Sequence, residues 1–103
     1  MQQGSLAEAQ RDLEKAVQLN PRHFGSYQFL DWALAKQGKW GAVVEHWNQF
    51  LALEPNHAKA YLERGGTFYH KGDLKRAFQD AQKSCELGEP EACARSERLK
   101  QRI

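Results

Sequence analysis

Apolar residues recur every three or four positions along most of the chain, which is the period of an amphipathic helix. Two long stretches show the pattern clearly, and polar residues occupy the positions between. Their apolar positions are Leu6, Ala9, Leu13, Ala16 and Leu19, and then Trp40, Val43, Trp47, Phe50 and Leu53. Shorter stripes of the same period follow Tyr27 and Tyr61. The pattern predicts an all-α chain of paired helices.

The helical pattern repeats at an interval of 34 residues. Gly4, Gly38 and Gly72 keep this interval, and so do Pro21 and Pro55. The glycines are placed to end the first helix of each pair, and the prolines follow the second. Serine and aspartate next to two of the glycines, at positions 5 and 73, are expected to cap the helices that follow. A repeat array of two-helix units is therefore predicted.

Residues 58–87, "AKAYLERGGTFYHKGDLKRAFQDAQKSCEL", resemble the tetratricopeptide repeat. The family's aromatic, small and aliphatic positions are occupied by Tyr61, Gly65, Phe68, Gly72, Leu74, Ala77 and Leu87. The resemblance implies an all-α, right-handed α-solenoid of helical hairpins with about six helices. It implies one domain over residues 1–103, with a lone second helix at 5–20, repeats at 24–55 and 58–87, and a C-terminal capping helix at 91–102.

Two positions depart from the repeat pattern. Asp31 stands where the family has a small residue, facing Val43, so the first hairpin is expected to be splayed or to have Asp31 tilted to solvent. Arg64 stands in an aliphatic position, and we interpret it as the partner of Asp80 in a structural ion pair.

The composition and the spacing of the polar residues indicate no set of catalytic side chains, and we expect no cofactor. Fifteen lysines and arginines against thirteen acidic residues give a net charge of +2, which supplies no general attraction to nucleic acid. The basic residues of the C-terminal segment are interpreted as a solvated helix end: Arg95, Arg98, Lys100 and Arg102. The spacings of the four histidines place no two on one helical face for a metal, and no apolar run is long enough for membrane insertion.

The chain has two cysteines, Cys85 and Cys93, at the end of one predicted helix and the start of the next. The turn between them brings disulfide geometry within reach. The spacing also resembles that of cysteine-rich helical repeat proteins, whose cysteines are disulfide-bonded. A disulfide and a pair of buried free thiols both stay open. Free thiols would favour a cytoplasmic protein, and a disulfide an extracytoplasmic one.

The family resemblance implies a concave groove, lined by the first helices, that holds an extended peptide or a partner helix. The predicted groove residues are Gln28, Trp32, Lys36, Lys59, Leu62, Gly66 and Tyr69. Their apolar members are the expected anchors, and the two lysines would flank them and attract acidic groups. Alternatively, Trp32 and Tyr69 pack within the chain as filler. The last helix is expected to contribute Ala94, Glu97 and Gln101.

The predicted function is non-enzymatic binding of a protein or peptide partner. The family's carboxylate clamp for chaperone tails is not expected, because Gln28, Trp32 and Glu63 occupy its positions. The predicted N-terminal helix lacks the first helix that would pair with it. We therefore favour a piece of a longer array, although this helix could also close the array. The alternative function is self-association, in which this helix docks on a second copy to form a homodimer.

Overall fold

A computed structural model describes residues 3–103, with side chains from residue 5 onward, and contains six α-helices and no strand within that range. The predicted all-α class is confirmed. The helices are α1 (Gln3–Leu19), α2 (Phe24–Ala35), α3 (Trp40–Leu53), α4 (Ala58–His70), α5 (Leu74–Glu86) and α6 (Pro90–Lys100). The predicted domain also includes Met1 and Gln2, which lie outside the described residues.

The chain divides into two compact units, of which the first ends at Glu54 and the second begins at Pro55. The first unit holds α1 to α3 and the second holds α4 to α6. The helix boundaries lie within two residues of the predicted spans. The assignment of these spans to a single repeat domain stays a prediction.

Histidines begin the two helices that follow the proline turns. The Nδ1 atom of His23 accepts the backbone N–H of Ser26 at 3.1 Å, and that of His57 accepts the N–H of Ala60 at 3.2 Å. Each ring thus shares a first-turn backbone donor with the carbonyl of the same histidine, at 3.2 Å in both helices. The two histidines are 34 residues apart, so the cap belongs to the repeat.

Glycines with positive φ end α2 and α4. Gly38 has a φ of 72° and Gly72 a φ of 84°, a region that favours glycine because it has no Cβ. The next residue's N–H reaches back to a helix carbonyl, from Lys39 to Leu34 and from Asp73 to Phe68. Asp73 then caps α5 by accepting the N–H of Arg76 at 3.1 Å, as predicted. The predicted cap at position 5 is wrong, because α1 begins before it.

The core of the first unit is an aromatic cluster joined to aliphatic residues of α2 and α3. Trp47 and Phe50 are completely buried and contact Phe24 and Tyr27 at ring-centroid distances of 4.9 to 5.8 Å. Burial raises the pKa of the Tyr27 hydroxyl, which donates to the carbonyl of Pro21 at 3.0 Å.

At the end of α1 the predicted core stripe is wrong. Leu19 is 87% exposed and Val17 is buried in its place. In the first hairpin, Asp31 is half-buried rather than tilted to solvent, and its Oδ2 accepts the indole N–H of Trp47 at 2.7 Å.

The core of the second unit depends on close approach of α4 and α5. A Cβ on Gly65 would lie 3.0 Å from the Cβ of Asp80, so only glycine leaves room for this crossing. The Arg64 guanidinium donates to both oxygens of Asp80 at 2.8 Å. This hydrogen bonding raises the pKa of Arg64 above its ordinary high value and so favours the charged guanidinium. The geometry is that of the predicted structural ion pair.

Candidate functional site

The outer face of α2 exposes two aromatic residues that the core does not use. Phe29 is 65% exposed and Trp32 is 40% exposed, and with Gln28 they line a shallow cavity of about 370 Å³. We call these three residues the α2 aromatic surface. Two of them were predicted as groove residues, and Phe29 was missed. The signal for it was present, because position 29 lies off the stripe of Tyr27 and Leu30.

The second unit contains a larger cavity of about 420 Å³ between α4 and α6. The residues that line this arginine cavity are Gly66, Tyr69, His70, Arg95, Arg98, Leu99 and Arg102. Leu99 is buried and Tyr69 is 43% exposed. Two predicted groove residues, Gly66 and Tyr69, therefore lie side by side here with three arginines.

The three arginines have different neighbours. Arg102 donates from Nη1 to the Tyr69 hydroxyl at 3.1 Å, and its guanidinium lies over the ring, 5.6 Å from the centroid. Arg95 is 3.4 Å from the Glu91 carboxylate. Within the described chain, Arg98 makes no ion pair or side-chain hydrogen bond. The cavity therefore has more positive than negative charge at its rim.

The structure corrects the predicted contribution of the last helix. Arg95, Arg98 and Arg102 line the cavity, whereas the predicted set was one position earlier: Ala94, Glu97 and Gln101. The reason is the packing of α6 on α5, which buries Ala92, Ser96 and Leu99 and so fixes the rotation of the helix. The basic residues are thus not only a solvated helix end.

The remaining predicted groove residues lie outside both cavities. Lys59 is exposed near the start of α4 and Leu62 is half-buried one turn later. Lys36 is exposed immediately after α2. The exposure of Trp32 and Tyr69 differs from the burial expected of filler residues.

Cys85 and Cys93 are joined by a disulfide in the structure. The bond connects the last turn of α5 to α6, the helix that carries the arginines. Of the two alternatives that the sequence leaves open, the structure contains the disulfide. Because Cys93 lies only two residues before Arg95, the bond holds the start of the arginine-bearing face against α5.

The described part of the chain shows neither a metal site nor a membrane-spanning helix. Residues 3–103 contain no group of three or more histidine, cysteine and acidic side chains arranged to hold a metal ion. None of the described helices is long and apolar enough to cross a membrane.

Curated proteins similar to this chain include one from Homo sapiens and one from Triticum aestivum. Tetratricopeptide repeat protein 13 of Homo sapiens is 39% identical over 74% of this chain. The Hsp70-Hsp90 organizing protein of Triticum aestivum is 25% identical over 77% of it. The chain spans only 9% and 14% of the length of these two relatives.

Solved structures with the same fold include a tetratricopeptide repeat domain bound to a peptide and a second protein complex. The first such domain of Spaghetti (RPAP3), bound to the HSP90 peptide SRMEEVD, has a TM-score of 0.77 at 24% identity and covers 96% of this chain and 80% of that one. PcrH, in complex with the chaperone binding region of PopD, has a TM-score of 0.80 at 16% identity, with coverages of 96% and 81%.

The sequence pattern of the tetratricopeptide repeat family matches residues 32–92, which is more than half of the chain. This range contains the segment on which the resemblance was recognised, and the structure has a helical hairpin there in α4 and α5. The chain belongs to the tetratricopeptide repeat family.

Proposed function

We propose that this chain is a non-enzymatic interaction module that binds a peptide segment or a helix of a partner protein. The observation that carries the proposal is the α2 aromatic surface, where Phe29 and Trp32 stay exposed beside a shallow cavity. Large aromatic side chains held at the surface of a helix cost solubility and contribute nothing to the core of the unit. Tryptophan is also among the residues most enriched as interface anchors.

The α2 aromatic surface has the form expected of an anchor site. Phe29 and Trp32 are three positions apart and so lie on one face of the helix. Gln28 supplies amide groups that can hydrogen-bond a peptide backbone. On the second unit we assign contacts with a partner segment to Leu62, Gly66 and Tyr69, of which the last two line the arginine cavity. Lys36 and Lys59, both exposed, would attract acidic residues that flank the bound segment.

The similar proteins support a peptide or protein ligand. Its chemical character is inferred from the residues of this chain. One solved relative holds a peptide of HSP90, and another holds a region of the protein PopD. We do not assign the HSP90-type clamp to this chain, because Trp32 and Glu63 occupy two of the positions that the clamp requires. The expected ligand of the α2 aromatic surface is therefore an apolar segment.

The test is selection of peptides from a random twelve-residue display library on the immobilised chain, followed by titration of the selected peptides. We expect Phe29→Ala and Trp32→Ala each to weaken binding by about tenfold or more, as hot-spot aromatics do. Leu19→Ala is the control, since it removes an even more exposed apolar side chain from α1. Equal affinity of all three variants would overturn the assignment.

Self-association through α1 is the second candidate, and the exposed Leu19 is the observation that favours it. An apolar residue at this exposure could be covered by a second copy. Sedimentation equilibrium of the parent and of Leu19→Glu decides the matter. A dimer that dissociates in the variant would establish self-association, and a monomer at high concentration would exclude it.

A further inference from the structure

We propose that the arginine cavity binds a phosphorylated side chain of a partner peptide. The inference rests on the proposed function, because the ligand is a segment of a bound protein. It assigns a separate chemistry to the second unit: the α2 aromatic surface takes an apolar segment, and the arginine cavity takes a doubly charged anion.

The first argument is the excess of positive charge around one small space. Arg95, Arg98 and Arg102 are three and four positions apart, so they project from one face of α6 and the turn after it. Glu91 is the one carboxylate paired with any of them in the described chain. Arg102 is held by a neutral hydroxyl, and Arg98 has no ionic partner there. Two of the three charges are therefore left for a ligand.

The second argument is the hydrogen-bonding capacity of the rim. A guanidinium presents its N–H groups in a planar fork that matches the oxygens of a phosphate. The Tyr69 hydroxyl accepts a hydrogen bond from Arg102 at 3.1 Å, so its own proton remains available to a ligand oxygen. The contact with Tyr69 also holds the Arg102 guanidinium in place before any ligand arrives.

The third argument is the apolar part of the cavity. Leu99 is buried below it, and the ring of Tyr69 forms one side. A Cβ on Gly66 would lie 3.6 Å from the nearest guanidinium nitrogen of Arg95, so the glycine keeps this side open. Carbon atoms of the ligand side chain can thus lie against apolar surface while its anionic end reaches the arginines.

A single dianionic group fits this cavity better than two neighbouring carboxylates do. Successive side chains of an extended peptide point to opposite sides, so one cavity receives one of them. A carboxylate side chain carries one charge, whereas a phosphorylated serine carries about 1.5 to 2 negative charges at pH 7. A C-terminal aspartate, which has two carboxylates on one residue, is the strongest competing ligand and is included in the test.

The experiment is an NMR titration of the chain, observing the arginine side-chain N–H resonances. Three short peptides serve as probes: acetyl-Ala-phosphoSer-Ala-amide, acetyl-Ala-Ser-Ala-amide, and acetyl-Ala-Asp with a free C-terminus. We expect the phosphorylated peptide to shift the Arg98 and Arg102 resonances and to bind at least tenfold tighter than the other two. Arg98→Gln should weaken its binding about tenfold or more, since it removes a charge that contacts the anion.

Arg11→Gln on α1 is the matched control, because it removes the same charge from an exposed position in the first unit. Equal effects of Arg11→Gln and Arg98→Gln would overturn the site. Equal binding of the serine and phosphoserine peptides would overturn the ligand, as would tighter binding of the C-terminal aspartate peptide. Peptides that depend on Phe29 and Trp32 would still bind in each of these cases, so failure here is distinct from failure of the proposed function.

Discussion

The hairpins α2–α3 and α4–α5 follow the same 34-residue pattern but build their helix crossings with different residues. In α4–α5 the crossing position is Gly65, which lies against Asp80 with no room for a side chain. In α2–α3 the same position is Asp31, which accepts the N–H of Trp47 at 2.7 Å. The position corresponding to Trp47 in the second hairpin is Ala81. The first hairpin thus has the hydrogen-bonded pair Asp31 and Trp47 where the second has the small residues Gly65 and Ala81.

The two hairpins also have different residues at a second pair of equivalent positions, where one hairpin has an ion pair and the other does not. Half-buried Arg64 and buried Asp80 form an ion pair in the second hairpin. Leu30 and His46 occupy these positions in the first, where His46 Nε2 is 4.0 Å from Glu14 of α1. The Nδ1 atom of His46 is buried without a hydrogen-bond partner among the described residues. Spacing and apolar period define the repeat, whereas the polar groups at equivalent positions are arranged differently in each hairpin. Exchanging residues between the hairpins tests this conclusion.

Exchange at the crossing position should have the largest effect. Gly65→Asp places a Cβ 3.0 Å from that of Asp80 and a second carboxylate beside it. We expect a loss of about 3–4 kcal/mol in unfolding free energy, measured by chemical denaturation. Gly66→Asp is the control, because its nearest neighbour is the Arg95 guanidinium and its loss should be under about 1 kcal/mol. Similar losses at both glycines would contradict the tight crossing.

The disulfide is the next largest difference, because the first unit has no cysteine. Intact mass with and without an alkylating reagent, on protein that was never reduced, should show no added alkyl group. Changing both Cys85 and Cys93 to serine should lower the unfolding free energy by about 2–3 kcal/mol, as expected for a short closed loop. Two alkyl groups on unreduced protein would show that the cysteines are free thiols.

The reverse exchange, Asp31→Gly, should destabilise the first hairpin by about 2 kcal/mol, because it leaves the buried indole N–H of Trp47 without its partner. All three tryptophans lie in the first unit, so tryptophan fluorescence during denaturation reports on it directly. Asp31→Asn keeps an acceptor and should lose less. A neutral Asp31→Gly variant would mean that the hydrogen bond contributes nothing.

The two histidine caps should have matching effects. His23→Ala and His57→Ala each remove the side-chain acceptor of a first-turn N–H and should cost about 1 kcal/mol. His57→Asn, which can accept the same bond, should restore most of the loss. Thermal unfolding of the four proteins compares them directly. An asparagine variant as unstable as the alanine one would argue for ring packing rather than capping.

The smallest expected effect is a difference in the pH dependence of stability between variants of two tyrosines at equivalent repeat positions. Tyr27 and Tyr61 donate to the carbonyls of Pro21 and Pro55, and burial raises the pKa of Tyr27. A raised pKa in the folded state means that stability is intact below pH 10 and falls as the pH rises beyond it. Tyr27→Phe should reduce this alkaline loss. Tyr61→Phe is the matched control, and an equal reduction there would contradict the role of burial.

Much of the fold was predictable because the signals are local. The six helices, the left-handed glycines and the Asp73 cap each depend on bonds between residues a few positions apart. The Arg64–Asp80 pair was also predictable, since the repeat brings the two positions together. The candidate site was predicted less completely. Trp32 and Tyr69 were found as apolar residues off the core stripe, while Phe29 and the arginines of α6 were missed.

The sequence by itself determined the helical repeat, its 34-residue interval and the residues that begin and end its helices. Only the tertiary structure decided the partner of Asp31, the burial of Val17 in place of Leu19, and the rotation of α6 that turns its arginines toward Tyr69. The physical reason is the range of the interactions. Caps and turns are made within one segment, whereas the rotation of a helix is fixed by side chains that meet from distant positions in the chain.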